Sequence, residues 1–463
     1  MTAPALAGLD VHLELSRTRP AQSLEAALRG AVTDGRLAPG TRLPAARSLA
    51  RDLAISRNTV AEVYARLAAE GWLASRVGAG TWVAERTAGA GVARQAPLVP
   101  PSRAPIELRG GIPDGSAFPR REWLAALRRV TAGPALLGYP DPSGVRELRA
   151  ALAGYTARTR GVVASAETIA VGTGFGELLR FICSALRGRG ATRVAVEQFG
   201  HERHRAIIAA AGLRPVPLPV DDQGAVLDEL ADCAAVLLTP AHQFPTGVPL
   251  SPERRRAVVE WAHRADALVI EDDYDGEFRY DRRSIGALQA LAPDRVAYLG
   301  TASKAVSPSV GLAWAVVPHW LHVEMREQRE LSGGRPAALQ QHALAEFIAA
   351  HDYDHSVRRL RAEYRARRIR LENLVEAQLS GCSIEGLLAG LQVLVRLPAG
   401  TDEQEIAAVA LERGVLVDGL DSYRAPGSPP VAPGLVVGFA APSPAQFDRA
   451  LVQLAASVRA VLD

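Results

Sequence analysis

Residues 267–304 read ALVIEDDYDGEFRYDRRSIGALQALAPDRVAYLGTASK, two short apolar runs that each end in polar residues. Similar runs lie on either side: RVAVE from residue 193, AVLLTP from 235 and LAWAVVP from 312. Continuous apolar runs separated by roughly 25 to 40 residues of helix and loop indicate βαβ units, and so a mostly parallel sheet buried on both faces. The class is α/β. Further out, the arginine-rich helix HSVRRLRAEYRARRIRLENLVEAQL from His355 precedes renewed strand–helix alternation in GLQVLVRLPAG and GLVVGFAAPS. Residues from about 355 to 463 therefore form a smaller α+β lobe.

Open parallel sheets bind ligands beyond the carboxyl ends of their strands. Three polar groups arrive there in this chain. ALVIEDD ends in Glu271, Asp272 and Asp273, and alternation lets only one of the adjacent aspartates face a given pocket. VAYLGTASK ends in Lys304, with Thr301 and Ser303 beside it. In VGTGFGELLRFI a glycine-rich turn runs into a helix, so that the N–H groups of Gly174, Phe175 and Gly176 suit a phosphate. Lys304 is the one lysine among 53 basic residues, the other 52 being arginine. An amine forms Schiff bases and a guanidinium does not, so the position kept as lysine is a candidate for covalent chemistry, unless coding bias spared it. Cradle, acid and lysine together fit a pyridoxal phosphate site. On the pattern alone, Asp272 as a helix cap and a purely structural glycine turn stay open.

The 463 residues are 48% hydrophobic, 22% charged and 5% aromatic, which excludes a dominantly disordered chain and suits two to four globular units. No apolar run approaches the roughly 18 residues of a spanning helix, and the first 30 residues lack a leader pattern. A cytoplasmic protein without a membrane partner is expected. Cys183, Cys233 and Cys382 show no CxxC or Cys/His spacing, so neither disulfides nor a metal is expected. A net charge of +3 does not by itself announce nucleic acid.

The amino-terminal segment, residues 1–84, reads differently. In ARSLARDLAISRNTVAEVYARLAAEGW one helix ends near Leu53 and a second starts after Ser56, a good N-cap. Val60, Val63, Tyr64 and Leu67 then share one face, while Arg57, Asn58 and Ala61 occupy the other. Such a helix end suits a major groove, although a three-helix scaffold that binds protein has the same pattern. LASRVGAGTWV reads as a two-stranded wing, with Gly78 and Gly80 supplying the turn and Arg76 reaching sideways. ERTAGAGVARQAPLVPPSRAPI from residue 85 has no periodicity and reads as a linker over 85–105, leaving 106–463 for the α/β domain and its lobe.

The run LEAALRGAVTDGRLAPGTRLPAARSLARDLAISRNTVAEVYARLAAEGWLASRVGAGTWV resembles the winged helix-turn-helix of GntR regulators nearly end to end. The resemblance implies double-stranded DNA contacts from Arg47 and Arg57 and from the Gly78 backbone, with Ser56, Asn58, Thr59 and Arg76 completing the face. Where some members carry another arginine in the recognition helix, this chain has Ala61. From about Ile106 onward the chain is similar to fold type I aminotransferases, in the form fused to a GntR domain, the MocR regulators. GGIPDGSAFPRREW, TPAHQFPTGVPLS, IEDDYDGEFRYD and YLGTASKAVSPSVGLAW carry that similarity. It implies Lys304 as the Schiff-base lysine, Asp272 on the pyridine nitrogen and Tyr274 on the ring hydroxyl. Thr301 and Ser303 would lie near the phosphate, and the protein would be a homodimer.

The chain departs from the family pattern at three places. The usual phosphate-binding arginine after the lysine is Gly311 here. The aromatic that stacks on the ring is His201, in QFGHERHR, and the C-terminal arginine for a substrate carboxylate is Val436. Arg203 is a candidate for an effector acid and Arg424 a weaker one. His242 and Gln243 in AHQFPTG mark the regulators. The expectation is a DNA-binding transcriptional regulator with pyridoxal phosphate, or an amine reacting with it, as effector. An active aminotransferase and a regulator that has lost the cofactor are the alternatives.

Overall fold

The computed structural model describes residues 19–76, 80–85, 104–133, 138–281 and 285–462, in two compact units that divide between residues 102 and 103. Gly78 and most of the 85–105 segment lie outside the described residues.

The first unit holds α1 (Pro20–Thr33), β1 (Arg42–Leu43), α2 (Ala46–Asp52), α3 (Arg57–Ala69), β2 (Leu73–Arg76) and β3 (Gly80–Val83). Its three strands are antiparallel in the order β1-β3-β2. α2 stops at Asp52, and Ala54 adopts a left-handed φ of 53° that turns the chain. The Ser56 hydroxyl then accepts the Thr59 N–H at 3.0 Å and starts α3, as its sequence predicts. Val60, Val63, Tyr64 and Leu67 close onto Leu24, Leu28 and Leu49. Burying each such leucine or valine contributes about 2 kcal/mol.

The second unit opens with β4 (Ile106–Glu107), α4 (Arg120–Ala132) and α5 (Arg146–Arg160). There follow β5 (Ile169–Gly172), α6 (Phe175–Gly188), β6 (Arg193–Glu197), α7 (Glu202–Ala210) and β7 (Arg214–Leu218). The hairpin β8 (Val220–Asp221) and β9 (Gly224–Ala225) leads to β10 (Ala235–Leu238), α8 (Pro252–Arg264), β11 (Leu268–Asp272), β12 (Val296–Thr301) and β13 (Ala313–Val316). Seven strands form one sheet in the order β5-β13-β12-β11-β10-β6-β7. Only β13 runs antiparallel to its neighbours, so the sheet is mostly parallel, as expected. Alternate residues of β11 enter different layers: Leu268 and Ile270 pack beneath α6, and Val269 beneath α8. Burial on both faces explains why these strands read as unbroken apolar runs.

The helices α9 (His319–Ser332), α10 (Ala338–Ala349) and α11 (Asp352–Gln378) lead to the lobe. There β14 (Ser383–Glu385), β15 (Gln392–Arg396), β17 (Asp418–Gly419) and β18 (Gly434–Gly438) form an antiparallel sheet in the order β14-β15-β18-β17. α12 (Glu403–Glu412) and α13 (Pro444–Leu462) accompany it, and β16 (Val415–Leu416) pairs with β4. Among the described residues no helix is long and apolar enough to cross a membrane, and no group of His, Cys, Asp and Glu would hold a metal. The three cysteines are free thiols.

Candidate functional site

A cavity of about 200 Å³ lies at the carboxyl ends of β6, β10, β11 and β12. Each strand delivers a polar residue to it: Glu197, Thr239, Asp272 and Thr301, with Ser303 and Lys304 following on. Strand alternation sorts the acids at the end of β11. Asp272 faces the cavity, whereas Asp273 turns away to Arg160 (2.7 and 2.9 Å) and the Tyr298 hydroxyl (2.7 Å). Glu271 accepts the N–H groups of Leu288 and Gln289 at 2.7 and 2.9 Å.

Asp272 is the unusual one. Its carboxylate is buried and enters no hydrogen bond among the described residues. Burial, and then Asp273 and Asp275, hold it well above the usual carboxylate range. Its carboxyl group opens onto the cavity, where a cationic N–H would favour its charged form. The Lys304 amine donates to Gly111 O at 2.6 Å, and burial lowers its pKa against the opposing pull of Asp272 and Asp275. The Glu197 carboxylate accepts the N–H (3.1 Å) and hydroxyl (2.6 Å) of Thr239 and is pushed up to about 7 by burial.

Tyr274 lines the cavity with its hydroxyl held from behind. Gln392 Nε2, reaching over from β15, donates to it at 2.6 Å, and His242 Nδ1 lies 3.1 Å away. The same His242 nitrogen is 2.9 Å from Asp275. His201 caps α7 and stacks on Phe244 with ring centroids 4.3 Å apart. At the start of α6, Gly174 is the cap and Phe175 lines the cavity; the N–H groups of Phe175, Gly176 and Glu177 form the donor end of that helix. Gly176 itself packs toward Ile207. Thr301 Oγ1 donates to Ser303 Oγ at 2.9 Å, so these two hydroxyls arrive as a pair.

The structure thus brings Asp272, Tyr274, Phe175, His201, Thr301, Ser303 and Lys304 to one cavity. Arg203 is not brought in: it is exposed on α7 and does not line the cavity, because two positions along a helix face different ways. Arg424 is occupied by Asp421 at 2.5 Å and Ser428 O at 2.5 Å. Sequence reasoning missed Gly111, Glu197, His204, Arg205 and Phe244. Glu197 alone carried a signal, as the acid closing the apolar run RVAVE.

In the first unit, Arg47 begins α2, Arg57 and Asn58 begin α3, and Arg76 ends β2; all four are exposed. Their charges contrast with the pairs on the α1–α3 side, where Arg29 and Arg66 bind Glu25 at 2.7 and 2.8 Å and Arg29 also binds Glu70 at 2.5 Å. Arg47, Arg57 and Arg76 enter no ion pair among the described residues. The Thr59 hydroxyl lies 2.8 Å from that of Ser56, so both serve the cap.

The sequence profile of aminotransferase class I and II matches residues 106–454, and that of the bacterial regulatory proteins of the gntR family matches residues 20–83. The pyridoxine biosynthesis transcriptional regulator PdxR of Corynebacterium glutamicum is 32% identical over 89% of this chain and 90% of its own. The probable rhizopine catabolism regulatory protein MocR of Rhizobium meliloti is 32% identical over 90% and 89%. Among solved structures, kynurenine aminotransferase of Pyrococcus horikoshii superposes with a TM-score of 0.70 at 22% identity, over 78% of this chain and 92% of the other, which is a likeness of fold.

The chain belongs to the MocR-type regulators. It is a helix-turn-helix transcriptional regulator with an aminotransferase-like domain. Within that family its departures have clear structural settings. Gly311 takes a left-handed φ of 62°, and a Cβ there would meet only Thr173 O, at 3.9 Å. Val436 is fully buried in an apolar cluster with Phe199, Phe244, Leu394, Leu420 and Tyr423. In AHQFPTG it is Phe244, directly before the proline, that lines the cavity, while His242 stands behind Tyr274.

Proposed function

We propose that this MocR-type regulator binds pyridoxal phosphate in the cavity of its second unit and that occupancy sets its affinity for double-stranded DNA. The observation that carries the reading is the pairing, in one cavity, of the lone lysine amine with the Asp272 carboxyl, which accepts no hydrogen bond among the described residues. Asp272 would hold the ring nitrogen, whose N–H and positive charge favour the charged form of its carboxyl. Tyr274, held by Gln392 and His242, would face the ring hydroxyl. His201 would lie against the ring, and Gly174, Phe175, Gly176, Thr301 and Ser303 would receive the phosphate. Bound there, the cofactor supplies an aldehyde that a primary amine attacks with loss of water. Burial favours the neutral form of Lys304, and Gly111 O holds the amine in place. The winged helix would meet DNA through Arg47, Arg57, Asn58 and Arg76, with Ser56 and Thr59 fixing the helix end and Gly78 in the wing, as a homodimer.

Pyridoxal phosphate added to the purified protein should produce a visible absorption band. Borohydride should fix the label, and Lys304→Ala should lack the band. Absence of the band at saturating cofactor would sink the proposal and favour a sensor of some other small molecule, a reading supported by glycine at position 311 in place of a phosphate-binding arginine.

A further inference from the structure

The geometry points to Arg205 as the residue that recognises the acidic group, carboxylate or phosphate, of whatever ligand occupies the cavity. The inference deepens the cofactor-and-effector reading above and rests on it. Of the residues lining the cavity, Arg205 contributes the one guanidinium. It lies on the turn of α7 that also brings His201 and His204 to the cavity wall.

Its direct partners are backbone carbonyls, and the nearby Glu202 acts on its charge only at longer range. The guanidinium donates to Gly200 O at 3.0 Å, Tyr423 O at 3.2 Å and Arg424 O at 3.5 Å, and it enters no ion pair among the described residues. The fully buried arginines Arg160, Arg367 and Arg368 meet the carboxylates of Asp273, Asp114 and Glu372, whereas Arg205, like half-buried Arg149 and Arg361, binds backbone carbonyls. Carbonyl dipoles orient a guanidinium but do not neutralise it. The histidines beside it add no fixed charge, since burial pushes His204 down to about 3 and His201 to about 4. Arg205 is therefore the permanent cation of the cavity wall, facing a space whose other cation is the titratable Lys304. The two arginines expected of the fold, at the positions of Gly311 and Val436, are both absent, so an oxyanion entering the cavity finds its bidentate partner here.

Two sources share this chemistry: the phosphate of the cofactor and the carboxylate of an amino acid effector. Calorimetry on the full chain separates them without requiring covalent capture, using pyridoxine phosphate against pyridoxine, and alanine against ethylamine. In the wild type, the acid-bearing member of at least one pair should bind more tightly. Arg205→Gln should cut that preference by roughly tenfold to a hundredfold and leave the acid-free member unchanged, while Arg205→Lys retains part of it. Loss on the pyridoxine pair assigns Arg205 to phosphate, and loss on the alanine pair assigns it to carboxylate. Equal binding within both pairs by the wild type, or preferences that Arg205→Gln leaves intact, overturns the inference. The visible band with pyridoxal phosphate is recorded on the same samples. A missing band defeats the cofactor reading, whereas a band with unchanged preferences defeats Arg205 alone.

Discussion

Glu197 and Lys304 show how burial tunes single residues toward a task. The Glu197 carboxyl sits at about 7 instead of its ordinary 4.5, because burial outweighs the hydrogen bonds from Thr239 and Gln243. Between those two values the folded chain keeps a proton that the unfolded chain has released. Stability from this group is therefore fully present below the unfolded pKa and is lost as pH rises through about 7. Glu197→Gln removes the penalty. Its stability relative to wild type, measured by urea unfolding, should rise by about 2 kcal/mol between about pH 5 and pH 8.5, and a difference constant with pH would contradict the assignment. For Lys304, burial lowers the pKa, so the neutral amine is present at lower pH than in a free lysine. Stopped-flow capture of pyridoxal phosphate should accordingly level off below the usual lysine range. A rate that keeps climbing to that range would mean the amine is solvated.

At the scale of elements, α3 was legible because its start has a local physical cause. A serine hydroxyl accepting the N–H three residues on needs no tertiary partner, and Ser56 with Thr59 does that at 3.0 Å. Ser56→Ala should cost about 1 kcal/mol and lower the melting temperature of the first unit. Arg57→Ala should instead leave stability unchanged and reduce the salt slope of DNA binding by about 1, the loss of one phosphate contact. A steeper slope, or none lost, would remove Arg57 from the interface. The strands were equally legible, since apolar runs such as ALVI report burial on two faces, and alternation allowed one of Asp272 and Asp273 to face the cavity, while the family resemblance pointed to Asp272. What the sequence hides is what distant elements bring together. Gln392 reaches Tyr274 from 118 positions away, and no local pattern foretells that bond. Arg205 was hidden among neighbouring arginines, where only the pitch of α7 decides which one faces inward.

At the scale of the molecule, a winged helix and an aminotransferase-like unit share one chain of 49.1 kDa. Light scattering should give twice that mass if the homodimer proposed here is the working form, and the single value would exclude it. A small molecule shifts DNA binding only through different affinities for two states of the protein, and an amine that can be captured covalently offers such a difference. The most direct test is the anisotropy of a labelled DNA fragment from upstream of the gene, titrated with protein in the presence and absence of pyridoxal phosphate. Wild type should change its affinity with the cofactor, while Lys304→Ala should bind the DNA and ignore the cofactor. An equal response from both proteins would contradict the account.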